Sequence, residues 1–172
     1  MKKLGLIINP IAGMGGRVGL KGTDGYEIYQ RAKDLGAIPE SPSRGMTALE
    51  QLLPIKSEIE VVTCPGDMGE NEARALGFHV TLIRSVDNRM TDSKDTIEAA
   101  KMMLQQEVDL LMFAGGDGTA RDVFSSIGES LMVIGIPAGV KIHSAVYATS
   151  PRSAGELALK YLQDKISNIK EV

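Results

Sequence analysis

The chain has very little cysteine and few aromatic residues. Cys64 is its only cysteine, and its 172 residues include no tryptophan, three phenylalanines and four tyrosines. One cysteine can form neither an internal disulfide nor a cysteine-based metal cluster, so the sequence excludes a disulfide-stapled domain and a thiolate metal site. Since disulfides are not used, we expect a cytoplasmic protein.

An excess of basic residues and a long apolar run are also missing. The net charge of −3 argues against nucleic acid or an anionic membrane as a partner. No apolar stretch approaches the ~18–20 residues of a membrane-spanning helix, and the run 4–8 ends too early for a signal peptide. The 43% hydrophobic and 24% charged residues are ordinary for a globular protein.

Apolar, β-rich runs alternate with helical patterns along the chain. Continuous apolar character predicts buried strands at residues 4–8, 59–63, 80–83, 110–114 and 131–136. This rhythm predicts an α/β fold with a doubly wound, mostly parallel sheet. The length fits one domain that spans residues 1–172.

Two helices are predicted in the second half of the chain. Residues 95–106 place Ile97, Ala100 and Leu104 on one face, and the acidic Asp92 and Asp95 near the start suit the helix dipole. Residues 153–165 form the second helix, which opens on a Ser-x-x-Glu spacing that fits a capping box.

Three strand ends carry glycine or proline, at residues 9–10, 115–118 and 137–139. In an open parallel sheet, ligands bind beyond the carboxyl ends of the strands, near the point where the strand order reverses. We therefore expect these three segments to meet at one edge of the sheet and to form the binding site.

The most informative motif is Gly115-Gly116-Asp117-Gly118-Thr119, directly behind the predicted strand 110–114. Glycines let the backbone approach a ligand closely and adopt positive φ. A helix predicted from Thr119 offers unpaired N–H groups that suit a phosphate. An aspartate beside a phosphate can bind a cation or take a proton from an attacking hydroxyl, so the motif predicts nucleotide-dependent phosphoryl transfer.

A second glycine-rich segment covers residues 12–25, of which six are glycine. Its spacing fits neither the G-x-G-x-x-G dinucleotide pattern, which would need glycine at Val18, nor a P-loop. Two interpretations stay open. The segment is either a surface loop, or a lid or phosphate nest to which Arg17 and Lys21 supply charge while Asp24 faces the second substrate.

Further polar candidates follow the predicted strands. Arg121 and Asp122 form either an exposed ion pair or a contact to phosphate or ribose. Lys141 is a candidate phosphate contact, while His143 is as readily a structural residue. No cluster of histidine and cysteine is present, so a metal would be Mg²⁺, held by one or two carboxylates and the phosphates of the substrate.

These motifs carry a family resemblance. The segment Gly115 to Thr119 is similar to the signature shared by NAD kinases, diacylglycerol and sphingosine lipid kinases and 6-phosphofructokinases. Within that superfamily the chain most resembles the ATP-NAD/AcoX kinase-like group. The similar stretches are spread over nearly the whole chain, at residues 8–16, 21–25, 115–122 and 135–141.

The resemblance implies a kinase that transfers a phosphoryl group from ATP, or in some members polyphosphate, to the adenosine ribose 2′-hydroxyl of NAD. It implies Mg²⁺ as the cofactor, and Asp117 as the catalytic residue that deprotonates or orients the hydroxyl or organises Mg²⁺. We expect nucleotide and phosphate contacts at Asn9, Gly13, Gly15, Gly16, Gly115, Gly116, Gly118 and Thr119. Substrate contacts are expected at Asp24, Arg121, Asp122 and Lys141.

The resemblance also bears on domains and partners. Family members carry a second, largely β domain after the α/β domain, and we expect that domain to be absent from residues 1–172. The partners implied are small-molecule nucleotides and further copies of the chain, in a homo-oligomer. Two other functions stay open: a regulatory module that binds NAD(P) or ATP without turnover, and a lipid or sugar kinase of the same superfamily.

Overall fold

A computed structural model describes residues 1–21, 25–83, 92–139 and 142–166 of the chain. The strands are β1 (Lys2–Ile8), β2 (Ile59–Thr63), β3 (His79–Leu82), β4 (Leu110–Gly115) and β5 (Val133–Pro137). The helices are α1 (Met14–Arg17), α2 (Tyr26–Asp34), α3 (Ser41–Glu50), α4 (Glu70–Ala75), α5 (Ser93–Gln105), α6 (Asp117–Ile127) and α7 (Pro151–Leu162). Within these ranges, no helix is both long enough and apolar enough to cross a bilayer.

The five strands form one sheet in the order β3-β2-β1-β4-β5, and every pair of neighbours is parallel. The predicted doubly wound α/β fold is confirmed. The chain builds outward from β1 to β3 and then returns to place β4 on the other side of β1. The strand order therefore reverses between β1 and β4, which is where such sheets bind ligands.

Apolar layers cover both faces of the sheet. Leu6 and Ile8 of β1 belong to the layer that includes Leu49 of α3 and Ala158 of α7. Ile7, between them in sequence, belongs to the opposite layer, because successive side chains of a strand point to opposite faces. Burial on both faces explains why the central strands read as continuous apolar runs.

The two predicted helices exist, with corrections at their starts and faces. In α5, Asp92 and Asp95 form a capping box, but the fully buried face carries Ala99, Ala100 and Met103 rather than Ile97 and Leu104. The capping box predicted at Ser153 is wrong. Helix α7 begins at Pro151, because proline suits the first helical position, and the Ser150 hydroxyl accepts from the Ser153 N–H at 3.0 Å.

Helices α1 to α4 were not predicted from the sequence. In α3, Pro42 and Gly45 are poor helix formers and hide the helical pattern. The packing explains the glycine: a Cβ on Gly45 would lie 2.6 Å from Ile8 Cδ1. Helix α3 therefore lies close against the carboxyl end of β1, at the edge where the site is expected.

Candidate functional site

The three glycine- or proline-bearing strand ends meet at one edge of the sheet. The Asn9 N–H donates to the Ala114 carbonyl at 2.9 Å, which joins the end of β1 to β4. The Ala138 N–H donates to the Gly115 carbonyl at 2.9 Å, which joins β4 to the segment after β5. The candidate site is therefore built around the reversal point between β1 and β4.

Asn9 ties the end of β1 to the first turn of α6. Its side-chain Nδ2 donates to Thr119 Oγ1 at 3.2 Å, and its Oδ1 accepts from the Ile11 N–H at 3.4 Å. Thr119 is buried, with 4% of its surface exposed. In the described structure both predicted residues hold the backbone of the site in place.

The motif Gly115 to Thr119 differs from its sequence interpretation in two ways. Helix α6 begins at Asp117, not at Thr119, with Gly116 in extended geometry before it. None of the motif's three glycines has a positive φ. Gly115 is required by packing, because its Cβ would lie 2.3 Å from Thr119 Oγ1.

Gly118 faces much more open space than Gly115. The closest group that a Cβ on Gly118 would meet is Arg121 Nη2, at 3.9 Å. Gly118 is exposed, so the first turn of α6 borders open space with the Arg121 guanidinium beside it. Such a surface suits an anion.

The Asp117 carboxylate is held by the segment that follows β5. Its Oδ1 accepts from the Ser144 hydroxyl at 2.8 Å and from the Ser144 and His143 N–H groups at 3.0 Å each. Its Oδ2 shares the His143 N–H at 3.0 Å. Burial opposes ionisation, but the hydrogen bonds from Ser144 and His143 outweigh it and lower the pKa of Asp117.

Tyr147 is a site residue that the sequence analysis missed. Its hydroxyl donates to the Gly116 carbonyl, and its ring meets Phe113 edge to face with centroids 5.4 Å apart. Burial, and to a lesser extent the Asp117 charge, raise the pKa of the Tyr147 hydroxyl, so it stays a hydrogen-bond donor. A lone tyrosine after an irregular stretch carried no signal that pointed to this role.

The first glycine-rich segment packs against the end of β5. Gly13 has a φ of 80°, and a Cβ there would lie 2.2 Å from the Ala138 carbonyl oxygen. The helix α1 follows at once, with Gly15 buried and Gly16 half-buried. The segment that begins at Gly13, called the glycine-rich wall, therefore lies against the end of β5, whereas Asp24 lies outside the described residues.

Two charged residues that the sequence analysis did not select lie beside this wall. Glu40 pairs with Arg17 and, at 3.3 Å, with Arg44 Nη2. Arg44 Nη1 donates to the Pro137 carbonyl at 3.2 Å. No local motif marks Glu40 or Arg44, because both depend on how α3 packs.

The remaining predicted substrate residues do not share one environment. Arg121 is exposed beside Gly118, while Asp122 is half-buried and its main-chain carbonyl accepts from the Ser125 and Ser126 hydroxyls. His143 contributes its main-chain N–H to Asp117, as described above. Lys141 lies outside the described residues.

A Mg²⁺ ion at this site would be held by one or two carboxylates together with the phosphates of the substrate. The described residues contain no group of three His, Cys, Asp or Glu side chains able to hold a metal. Asp117 is the one carboxylate in the glycine motif, and both of its oxygens already accept hydrogen bonds from residues 143–144. A Mg²⁺ ion held mainly by the substrate phosphates would find Asp117 as the carboxylate that the motif offers.

The ATP-NAD kinase N-terminal domain family matches residues 4–166, which include the helices and strands from β1 to α7 except the first two residues of β1. Comparison with curated proteins gave no match. The family match covers most of the chain, which therefore belongs to the ATP-NAD kinase family.

Proposed function

From this membership of the ATP-NAD kinase family, we propose that the chain is a phosphotransferase that moves the γ-phosphoryl group of ATP to a nucleotide hydroxyl. The best candidate acceptor is the adenosine ribose 2′-hydroxyl of NAD, which gives NADP. Mg²⁺ arrives with ATP as part of the substrate. The observation that carries the proposal is the ionised Asp117 in the open first turn of α6, at the reversal point of the sheet.

The first turn of α6 supplies the phosphate contacts. The N–H groups at the start of a helix have no partner within the helix, and the helix dipole favours negative charge there. Gly118 keeps this surface open, and Arg121 adds a guanidinium beside it. Catalysis in phosphoryl transfer is mainly positioning and charge stabilisation, which is what this surface provides.

Asp117 acts as the orienting acceptor for the attacking hydroxyl. A carboxylate has about four lone-pair sites. Oδ1 already accepts three hydrogen bonds, whereas Oδ2 accepts one that it shares with Oδ1. The acceptor hydroxyl therefore donates to Oδ2. Its oxygen attacks the γ-phosphorus, the bond to the β-phosphate oxygen breaks, ADP leaves and the hydroxyl proton passes to solvent.

The lowered pKa favours orientation over proton abstraction. A carboxylate with a pKa below its ordinary value stays ionised but is a weak base near neutral pH. A loose transition state needs little help from a base, since the proton becomes acidic only as the new P–O bond forms. The hydrogen bonds from residues 143–144 fix the carboxylate in position for this task.

The test is Asp117→Asn, which keeps the size of the side chain and removes its charge. We expect kcat for NADP formation from ATP and NAD to fall by about 10²-fold or more, with a small change in KM. Asp164→Asn is the control, because Asp164 is exposed and pairs with Lys2. Retention of kcat within a few-fold in Asp117→Asn would contradict the role of Asp117.

One observation favours a second candidate, a module that binds NAD(P) or ATP without turnover. In this alternative, the hydrogen bonds that residues 143–144 donate to Asp117 give its carboxylate a structural role alone. Saturable binding of ATP or NAD without any product, in calorimetry paired with an assay for ADP, would favour this alternative. ADP formation that depends on NAD would exclude it.

We further propose that residues 1–172 act as one α/β domain in a cytoplasmic homo-oligomer, and that a lipid or sugar is not the acceptor. The support is the family match, together with a candidate site at the sheet edge that suits the phosphates of a nucleotide. Sedimentation at several protein concentrations measures the oligomeric state. A panel of NAD, diacylglycerol and sugar acceptors tests the substrate class.

A further inference from the structure

Two arginines share one carboxylate beside the glycine-rich wall. Arg17 lies in α1, Glu40 directly precedes α3, and Arg44 lies in the first turns of α3. Glu40 Oε2 is the atom that pairs with both guanidinium groups. The group carries a net charge of +1, and its side chains are about one third exposed, so a solute can reach them.

The contacts of Arg44 place this group at the same edge as the candidate site. Arg44 Nη1 donates to the Pro137 carbonyl at the end of β5, at 3.2 Å. The next residue, Ala138, contacts both Gly13 and Gly115. Arg44 therefore lies beside the end of β5, at the same edge of the sheet as the candidate site.

The hydrogen bonds that the two arginines make leave capacity for another anion. A guanidinium group offers five N–H donors in a planar fork. Arg44 directs its two Nη atoms to different acceptors, and Arg17 contacts Glu40 through Nη2. Neither arginine makes the paired, bidentate contact that a carboxylate or phosphate forms with a guanidinium fork.

We propose that Arg17 and Arg44 form a subsite for a phosphate group of the nucleotide substrate, and that Glu40 occupies this subsite when no nucleotide is bound. The inference rests on the proposed function, since the two arginines supply a second phosphate contact for the same candidate site. A phosphate has more oxygens and more negative charge than the Glu40 carboxylate. It therefore displaces this carboxylate and accepts hydrogen bonds from the guanidinium groups of both arginines. Glu40 thereby competes with the ligand.

The test measures binding of inorganic pyrophosphate, ATP and NAD by calorimetry at low salt. Glu40→Gln removes the internal competitor, and we expect it to tighten pyrophosphate binding by about fivefold. Arg44→Gln and Arg17→Gln should weaken it by about tenfold or more. The two arginines lie on different helices, so loss in both variants is not explained by damage to one element.

The matched control is Glu156→Gln. It removes the same charge from an exposed i,i+4 pair with Arg152 in α7, which involves one arginine instead of two. We expect Glu156→Gln to bind pyrophosphate as the unmodified chain does. Thermal unfolding without ligand identifies any variant that is weakened by misfolding.

The outcomes separate this inference from the proposed function. If Glu40→Gln and both arginine variants bind all three ligands like Glu156→Gln, the subsite is wrong while the ATP-dependent reaction stands. If Glu40→Gln binds more tightly but no NADP forms, the subsite is supported and the reaction is wrong. A larger loss for ATP than for NAD in Arg44→Gln assigns the subsite to the donor, and the reverse assigns it to the acceptor.

Discussion

The two glycine-rich segments of this protein use the same residue for different physical reasons. In the first segment, Gly13 and Gly19 have φ values of 80° and 79°, in the left-handed region that other residues avoid. In the second, Gly115, Gly116 and Gly118 all have ordinary negative φ. In the first segment, glycine is needed mainly because the backbone has a left-handed φ. In the second segment, glycine is needed because a side chain would take up room at that position.

The difference separates structural glycines from ligand-facing ones. Gly13 and Gly115 are each in close contact with another part of the protein, whereas Gly118 faces open space at the start of α6. A glycine that neither adopts positive φ nor touches the protein costs stability in a helix. The presence of glycine at residue 118 is best explained by a ligand that approaches it. Substitutions can distinguish such a glycine from one that the fold itself requires.

The largest effect is expected for Gly13→Ala. The new methyl group would lie 2.2 Å from the Ala138 carbonyl oxygen, and the backbone would keep an unfavourable left-handed φ. We expect a loss of about 2–5 kcal/mol in the free energy of unfolding, measured with urea. Gly19→Ala has a similar φ but no atom within 4 Å, so it should lose only about 1 kcal/mol. Equal losses would show that close packing at Gly13 is unimportant.

A smaller loss is expected for Gly115→Ala. Its Cβ would approach Thr119 Oγ1, Cβ and Cγ2 at 2.3 Å, 2.5 Å and 2.8 Å, but Gly115 has no left-handed φ, so only the packing cost applies. We expect a loss of about 1–3 kcal/mol. Adding Thr119→Ala should recover part of it, because two of the clashing atoms are removed. Strictly additive effects in this double-mutant cycle would rule out the contact as the cause.

An acid-dependent effect is expected for Asp117→Asn. Because the pKa of Asp117 in the folded protein lies below its ordinary value of 3.8, its ionised form stabilises the fold. This contribution is complete above the unfolded pKa and is lost as the pH falls through the lower folded pKa. The gap in urea stability between the unmodified chain and Asp117→Asn should therefore close below pH 3.8. A difference in urea stability that does not change with pH would contradict a stabilising role for the ionised Asp117.

The smallest change in stability is expected for Gly118→Ala. The residue lies in α6 with a negative φ, so alanine should leave the fold unchanged or stabilise it by up to about 1 kcal/mol. We expect nucleotide affinity to fall by about tenfold, since the methyl group covers the phosphate surface. Calorimetry with ATP measures this, and unchanged affinity would show that no ligand approaches residue 118.

Much of the fold could be predicted because the strands are continuous apolar runs. Each of the five strands exists at its predicted position within a few residues, and the three strand ends meet at one edge. Helix α3 was missed because Pro42 and Gly45 obscure its pattern, and tertiary packing stabilises it instead.

The site was predictable where it depends on local motifs and not where it depends on distant contacts. Asn9 directly follows β1, and Asp117 and Thr119 belong to the glycine motif at the end of β4, so the sequence alone singles them out as candidates. Tyr147 bonds to a carbonyl 31 residues away, and Arg44 to one 93 residues away. Neither partner can be inferred from spacing, because the link exists only after the sheet has brought the segments together.

The segment 142–148, which holds Asp117 and Gly116, also covers the outer edge of β5. The Gly135 N–H donates to the Val146 carbonyl, and the Gly135 carbonyl accepts from the Ala148 N–H, both at 3.0 Å. An exposed strand edge is a template for pairing with a strand from another molecule, and here that template is occupied at its centre. A variant that loosens this segment would therefore expose the edge of β5 and disturb the candidate site at the same time.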